Sequence, residues 1–233
     1  MILEHFGHAA LGLTARLLPV AGHRILFDPY EPGGFGGLMG YPPIDFDPDD
    51  LLITHDHLDH CHAAPFGRAR VFFPQRDQGD AEIVRALSIR SLKVDHDAWL
   101  GRLRGGSSWM LRVIVDGLSV VHTGDIGALP EPDALDALNE GEPVDVLLLA
   151  CGGYYTIGPA EAHELALRLQ ARLIVPIHFG TGRCALPHLA PVDDFLARGG
   201  RAAIRREGAF ELLKGEMPPA GTVLVFEDQP SGA

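Results

Sequence analysis

Residues 53–62, ITHDHLDHCH, hold four of the twelve histidines of the chain and two aspartates. His55 and His57 stand at i and i+2 just past an apolar run, so extended backbone projects both imidazoles to one side. Asp59 and His60 follow a turn that lets the chain double back, and Asp59 is placed to N-cap a short helix. The H-x-H-x-D-H spacing can give two ligands to one metal ion and two to a neighbouring one. Imidazole nitrogen and carboxylate oxygen suit Zn²⁺, Mn²⁺ or Fe²⁺. The alternative is a solvated histidine-rich loop. Three more apolar runs argue against it by ending in the same residue types: KVDHD (93–97), VVHTGD (120–125) and PIHFG (176–180). Rigid strands that deliver His and Asp at their ends are a scaffold for presenting ligands. Neither a G-x-S-x-G nucleophile elbow nor a dinucleotide or P-loop glycine motif occurs.

The elements that must position these groups can be read from the apolar pattern. MILEHFGHAALGL is a strand pair or bent strand, and HRILFDPY is a short strand closed by Asp28-Pro29. EPGGFGGLMGYPP (31–43) is too rich in Gly and Pro for regular structure; it is either a surface connection or a flap over a substrate. DLLITH is a buried strand entering the histidine cluster. RVFF and SLKV are short strands with a helix, DAEIVRALSI, between them. SWMLRVIV and LSVVHTGD flank Asp116-Gly117, a strong short-range signal for a hairpin. PDALDAL is helical, VDVLLLA is a buried strand, and PAEAHELALRLQAR is the clearest helix. Pro159 sits in that helix's first turn, Ala162, Leu165, Ala166 and Leu169 form its apolar face, and Glu164–Arg168 is an i,i+4 pair. LIVPIHFG is a strand ending in His178, PVDDFLAR is a helix stopped by Gly199-Gly200, and TVLVF is a closing strand. The mixture predicts two sheets packed face to face with helices outside them.

Composition bounds the function. The chain has 233 residues, 46% of them apolar, enough for one domain over 1–233 with a substantial core. A formal charge of −12 disfavours nucleic acid as a partner, whereas bound metal would still admit a small anionic substrate. Three separated cysteines read as reduced thiols. No signal peptide or membrane-length apolar run is evident, so the expectation is a cytoplasmic protein without membrane association. Its partner is expected to be a small-molecule substrate, with homo-oligomerisation left open.

The H-x-H-x-D-H motif, the later Gly-Asp and the late strand-borne histidine resemble the metallo-β-lactamase-fold hydrolase superfamily. GHAAL, LFDPY, VVHTGDIG, GGYYTIGPAEA and IVPIHFGT are similar to its metal-dependent hydrolase branch, which includes L-ascorbate-6-phosphate lactonase-like proteins. The resemblance implies an α+β fold: an αββα four-layer sandwich of two mixed sheets with helices on both outer faces. It implies two divalent ions, Zn foremost with Mn or Fe allowed. His55 and His57 would bind the first ion, Asp59, His60 and His178 the second, and Asp125 would bridge both. For the third histidine of the first ion it leaves His96 and His122. His96 lies between the first motif and Gly-Asp, where that ligand is expected, which leaves His122 as a supporting or wall residue.

The implied chemistry is hydrolysis. Asp59 and Asp125 would offset the charge of two adjacent cations, a bridging water would become the hydroxide nucleophile, and Asp59 or Asp125 would move a proton. The expected substrate is a lactone, ester or phosphoester in a small polar metabolite. Around the ligands, His8 of GHAAL falls where this branch often has a histidine close to the site, as a supporting or substrate-contact residue, or else packs structurally. Asp28 could orient a ligand histidine or cap a turn. Tyr155 (beside Tyr154) and Arg183 lie in loops after buried strands and could touch substrate, Arg183 through an anionic group. Asp56 and His62 are left as supporting or solvated groups. Two other readings remain: a metal-bearing binding or sensor module without turnover, and a phosphodiesterase or nuclease on the same fold.

Overall fold

A computed structural model describes residues 1–77, 81–84, 87–97, 101–102, 106–199 and 203–227. The first half of the chain builds a six-stranded sheet. Its strands are β1 (Ile2–Gly7), β2 (Ala10–Thr14), β3 (Arg24–Phe27), β4 (Asp50–Leu52) and β5 (Arg70–Phe72), in the order β13-β1-β2-β3-β4-β5. β13 (Phe210–Glu211) returns from the far end of the chain to pair antiparallel with β1. The second sheet has eight strands in the order β12-β14-β11-β10-β9-β8-β7-β6. They are β6 (Ala81–Val84), β7 (Leu87–Asp95), β8 (Ser107–Val115), β9 (Leu118–His122), β10 (Val146–Ala150), β11 (Leu173–Ile177), β12 (Ala203–Arg206) and β14 (Thr222–Phe226). Both sheets are mixed: β3-β4-β5 and β9-β10-β11-β14-β12 run parallel, and the remaining pairings are antiparallel.

Strand periodicity explains the layers. In β10, Val146, Leu148 and Ala150 join the core between the sheets, while Leu147 and Leu149 face the other way. Leu3, Leu11, Leu13, Ile25, Phe27 and Leu52 of the first sheet meet Leu111, Val113, Val120 and Val175 of the second in that central core. Period-two alternation buries both faces at once, which is why these strands read as unbroken apolar runs.

The outer face of the eight-stranded sheet is covered by α3 (Pro132–Asn139), α4 (Pro159–Arg168) and α5 (Val192–Gly199), through Leu135, Leu138, Ala162, Leu165 and Phe195. Over the six-stranded sheet, Leu26 and Leu51 pack against Phe46, Phe6, Ile44 and Phe66, the last from the 3₁₀ turn η1 (Ala64–Phe66). Two further single turns, α1 (Gly34–Gly37) and α2 (Pro74–Asp77), and a second 3₁₀ turn, η2 (Lys214–Glu216), complete the described elements. None of the described helices is long and apolar enough to cross a membrane.

Most sequence elements fall where the pattern puts them, including the β8–β9 hairpin, whose Asp116 and Gly117 both take positive φ (53° and 73°) as a two-residue primed turn requires. The helix expected over DAEIVRALSI does not form. Ala81–Val84 and the start of β7 are antiparallel partners, with Ile83 opposite Ser88, while Asp80, Arg85 and Ala86 lie outside the described residues. β7 pairs along its length with β8 and buries Leu87 and Ile89 in the central core, a tertiary gain that overrides local helix propensity. Asp59 caps no helix either. The segment after it is a turn in which the amides of His60 and Cys61 both donate to the carbonyl of His57.

Candidate metal centre

The ends of β4, β7, β9 and β11 converge at one edge of the sandwich. His55 and His57 follow β4, His96 follows β7, Asp125 follows β9, and His178 follows β11. The β1–β2 turn adds His8. Among the described residues two four-residue groups result, His55, half-buried His57, His96 and Asp125 in one and His8, Asp59, His60 and His178 in the other, with a third set, Asp28, His55 and His60, behind them. Asp125 sits between them. Its Oδ2 lies 3.7 Å from His55 Nε2, 3.3 Å from His96 Nε2 and 3.1 Å from His178 Nε2, and its Oδ1 lies 3.2 Å from His60 Nε2.

These approaches are within ion-pair reach but are not aligned as hydrogen bonds. Asp59 Oδ1, Asp125 Oδ1, His60 Nε2 and both ring nitrogens of His96 are buried without a hydrogen-bond partner. Buried polar atoms are nearly always satisfied, and a set of orphans converging on shared space fits a cation. The residues present therefore fit a metal centre.

Supporting contacts fix which nitrogens face that space. Asp28 is fully buried and accepts from Thr54 N at 2.8 Å, Thr54 Oγ1 at 2.6 Å and His60 Nδ1 at 2.9 Å. Because the Thr54 hydroxyl is donated to Asp28, its oxygen accepts from His55 Nδ1 at 3.0 Å. Both histidines are thereby held with Nε2 towards the site, where His55 Nε2 also lies 3.1 Å from His57 Nδ1. The Asp125 amide donates to Ser108 Oγ at 3.1 Å. That approach needs Gly124, at φ +56°, because a Cβ there would lie 2.5 Å from Ser108 Oγ. His8, Asp28 and His178 also take positive φ (53°, 41° and 52°), and the His178 amide donates to the His8 carbonyl at 3.1 Å. Backbone in this sparsely populated region clusters at functional sites.

Charge follows the same division. Burial pushes the His8 imidazole down to about 4, helped by the neighbouring His178, and burial together with His60 holds His55 well below its usual value. His57 is lowered by burial and by His96. Neutral imidazoles are the metal-binding form. Burial works against charge at Asp59 and Asp125, yet the surrounding histidines keep both carboxyls well below the ordinary range. At His60 burial also opposes charge, and the Asp125 and Asp59 carboxylates outweigh it, raising this imidazole well above its usual value. Asp125 also outweighs burial at His96 and raises it, so the cluster calls for positive charge and, without a cation, draws it onto His60 and His96.

Not every candidate from the sequence reaches the site. His122 has both ring nitrogens engaged: Gly124 N donates to its Nδ1, which leaves Nε2–H for the Ala9 carbonyl, each at 3.0 Å. Its ring stacks on Phe27 at 5.3 Å, so it joins the two sheets as a packing residue. Arg183 also turns away. Cys184 bridges to Met39 and points its thiol at His8 Nδ1, 3.6 Å away, so the preceding side chain faces the opposite direction. Arg183 lines a separate cavity of about 290 Å³ with His5, Tyr41 and Asp45. Tyr155 does reach the site. It lines a pocket of about 420 Å³ whose floor is His57, Asp59, His96, Asp125 and His178, and Asp56 lies at the same wall.

Ser108 and Leu186 carried no distinctive sequence signal, whereas Thr54 and Leu58 sit beside and within the H-x-H-x-D-H cluster and Phe35 lies in the 31–43 stretch weighed as a flap.

The chain matches the model of the beta-lactamase superfamily domain over residues 3–178. It is 27% identical over 199 residues to a UPF0173 metal-dependent hydrolase of Thermococcus onnurineus, covering 77% of this chain and 84% of that protein. It also resembles a crystal structure from Thermotoga maritima, assigned as a Zn-dependent hydrolase of the metallo-beta-lactamase superfamily. That likeness has 30% identity and a TM-score of 0.73, over 98% of this chain and 99% of the other. Igni18, a metallo hydrolase of Ignicoccus hospitalis, shares the fold at 20% identity and a TM-score of 0.61, over 91% of this chain and 99% of its own.

Proposed function

Because the chain belongs to the beta-lactamase superfamily and is a metal-dependent hydrolase, we propose that it holds two divalent metal ions and uses them to hydrolyse a lactone, ester or phosphoester in a small molecule. His55, His57, His96 and Asp125 would hold one ion, and Asp59, His60 and His178, with Asp125 shared, would hold the other. Zn²⁺ suits this nitrogen-rich set best, with Mn²⁺ and Fe²⁺ compatible. Metal bound there would supply Lewis acidity, making a water more acidic and polarising the scissile group.

The rest is the work of the chain itself. Asp28 and Thr54 fix the ring orientations of His60 and His55. His8 Nε2 lies 3.1 Å from Asp59 Oδ2, and its Nδ1 faces the Cys184 thiol. His8 therefore donates to Asp59 Oδ2, the oxygen that also lies 3.5 Å from His60 Nε2 and 3.9 Å from His178 Nε2, and leaves Asp59 Oδ1 without a partner. The Asp59 carboxylate would then be the acceptor for a proton from the attacking water.

One observation carries this reading: a single carboxylate, Asp125, lies within ion-pair reach of imidazoles from both groups. Elemental analysis of the purified protein should find two metal equivalents per chain, and Asp125→Ala should lose metal from both sites together with activity. Retention of both equivalents in Asp125→Ala would refute the bridging role. Hydrolysis that survives complete removal of metal by a chelator would refute the mechanism.

A further inference from the structure

The walls of the metal pocket differ in character from its floor. Above the histidines and aspartates stand Phe35, Leu58, Leu186 and Tyr155. Phe35 is 42% exposed and Leu58 52% exposed, so neither is placed there by burial in a core. Phe35 is held in left-handed backbone (φ 52°, ψ 41°) within a glycine-rich turn, a conformation a bulky residue rarely adopts.

Four separate segments contribute these side chains, and backbone hydrogen bonds stitch the three that carry Phe35, Leu58 and Leu186 into one rim. The Glu31 amide donates to the Leu58 carbonyl at 3.0 Å, the Met39 amide to the Gly34 carbonyl at 3.1 Å, and the Ala185 amide to the Leu38 carbonyl at 2.8 Å. The rim therefore stands in place before any ligand arrives. Charge points the same way. Asp56 is the charged residue of the wall, the described lining residues include neither Lys nor Arg, and Arg183 faces another cavity. A phosphate or carboxylate on the substrate, away from the reacting bond, would meet apolar carbon and a carboxylate.

We propose that this pocket selects an uncharged acyl substrate, an ester or lactone whose apolar arm lies against Phe35, Leu58 and Leu186, over phosphorylated or carboxylate-bearing molecules. The proposal rests on the hydrolase reading above and narrows its substrate class. In the reaction it selects, the oxygen of water bonds to the acyl carbon and the bond from that carbon to the alkoxy oxygen breaks. The alkoxy oxygen receives a proton, giving a carboxylic acid and an alcohol, or one hydroxy acid from a lactone.

The test separates the pocket's preference from turnover by measuring binding. Metal-loaded protein is titrated calorimetrically with acetohydroxamic acid, hexanohydroxamic acid and the monohydroxamate of adipic acid, which share a metal-binding head and differ in the arm. Hexanohydroxamic acid should bind roughly tenfold or more tightly than either of the others, since apolar burial grows with each methylene and the terminal carboxylate opposes it. Phe35→Ala and Leu58→Ala, both at exposed positions, should each narrow the hexano-to-aceto ratio by about threefold. Equal or tighter binding of the adipic compound, no measurable binding of hexanohydroxamic acid, or a ratio unchanged in both variants would overturn the proposal. Cleavage of 4-nitrophenyl hexanoate is assayed separately. Its absence alongside an intact hydroxamate preference would count against the hydrolase reading and not against the apolar rim.

Discussion

Asp28 touches neither the pocket nor any substrate, yet its two carboxylate oxygens serve the Thr54 amide, the Thr54 hydroxyl and His60 Nδ1. Removing it would leave three buried donors unsatisfied and free two ligand histidines to rotate. Asp28→Ala should cost about 2–4 kcal/mol of stability and weaken metal binding roughly 10–100-fold. Metal titration and thermal melts of the same sample check both, and unaltered metal affinity would show that the rings are oriented by something else. Sequence reading reached Asp28 only as a plausible partner, because a DP pair after a strand equally suits a turn. Its contact to His60 spans 32 residues. The H-x-H-x-D-H cluster was legible because its members are covalently close.

At the scale of elements, strand ends act as fixed posts and the loops between them decide how closely the posts approach. The β9–α3 loop passes directly against the end of β7: Gly127 N donates to the Asp95 carbonyl at 2.8 Å, and a Cβ on Gly127 would lie 2.2 Å from the Asp97 amide. Gly127→Ala touches no ligand yet must push the His96–Asp97 backbone away from Asp125. It should lower metal occupancy to about one equivalent and cut activity by about 10²-fold, the effect expected of a displacement near 1 Å. Full occupancy in this variant would show that the His96 segment tolerates the shift. The helix expected over 80–89 failed at this same scale. Alternating Ile, Val and Leu within ten residues fit either period, and only pairing with β8 decided between them.

For the whole molecule, metal and proton compete for one cluster, so stability should depend on pH differently with and without metal. His8 resists protonation down to about 4 in the folded protein, against 6.5 when exposed. Between those values the unfolded chain binds a proton that the folded chain refuses, and stability falls as pH drops from 6.5 to about 4. His60 has the opposite sign. Its raised pKa contributes stability that is present below 6.5 and lost as pH rises through the folded value, and only in metal-free protein, where the proton substitutes for the cation. Melting curves across pH should therefore show the metal-free protein weakening on both sides and the loaded protein on the acid side alone. His8→Gln should flatten the acid limb. Identical profiles with and without metal would mean that neither His60 nor His96, which Asp125 also raises, carries a linked proton. Saturating metal at about 1,000 times its Kd should also add about 4 kcal/mol to stability.

The amino-acid sequence alone determined what depends on near neighbours and on periodicity: a histidine–aspartate cluster at the end of an apolar strand, a hairpin turned by Asp116-Gly117, a proline-started helix at 159, and two-faced burial in the central strands. Tertiary structure decided what depends on register between distant strands. His96 stands beside Asp125 because β7 pairs with β8 and β8 with β9, whereas His122, closer to Asp125 in sequence, has both nitrogens bound by Gly124 and Ala9. Arg183 and Cys184 are adjacent, yet a bridge to Met39 turns one towards His8 and the other into a different cavity. Spacing along the chain sets only a few bond lengths' worth of geometry. The approach of groups from different strand ends is set by packing and hydrogen bonding across the sandwich.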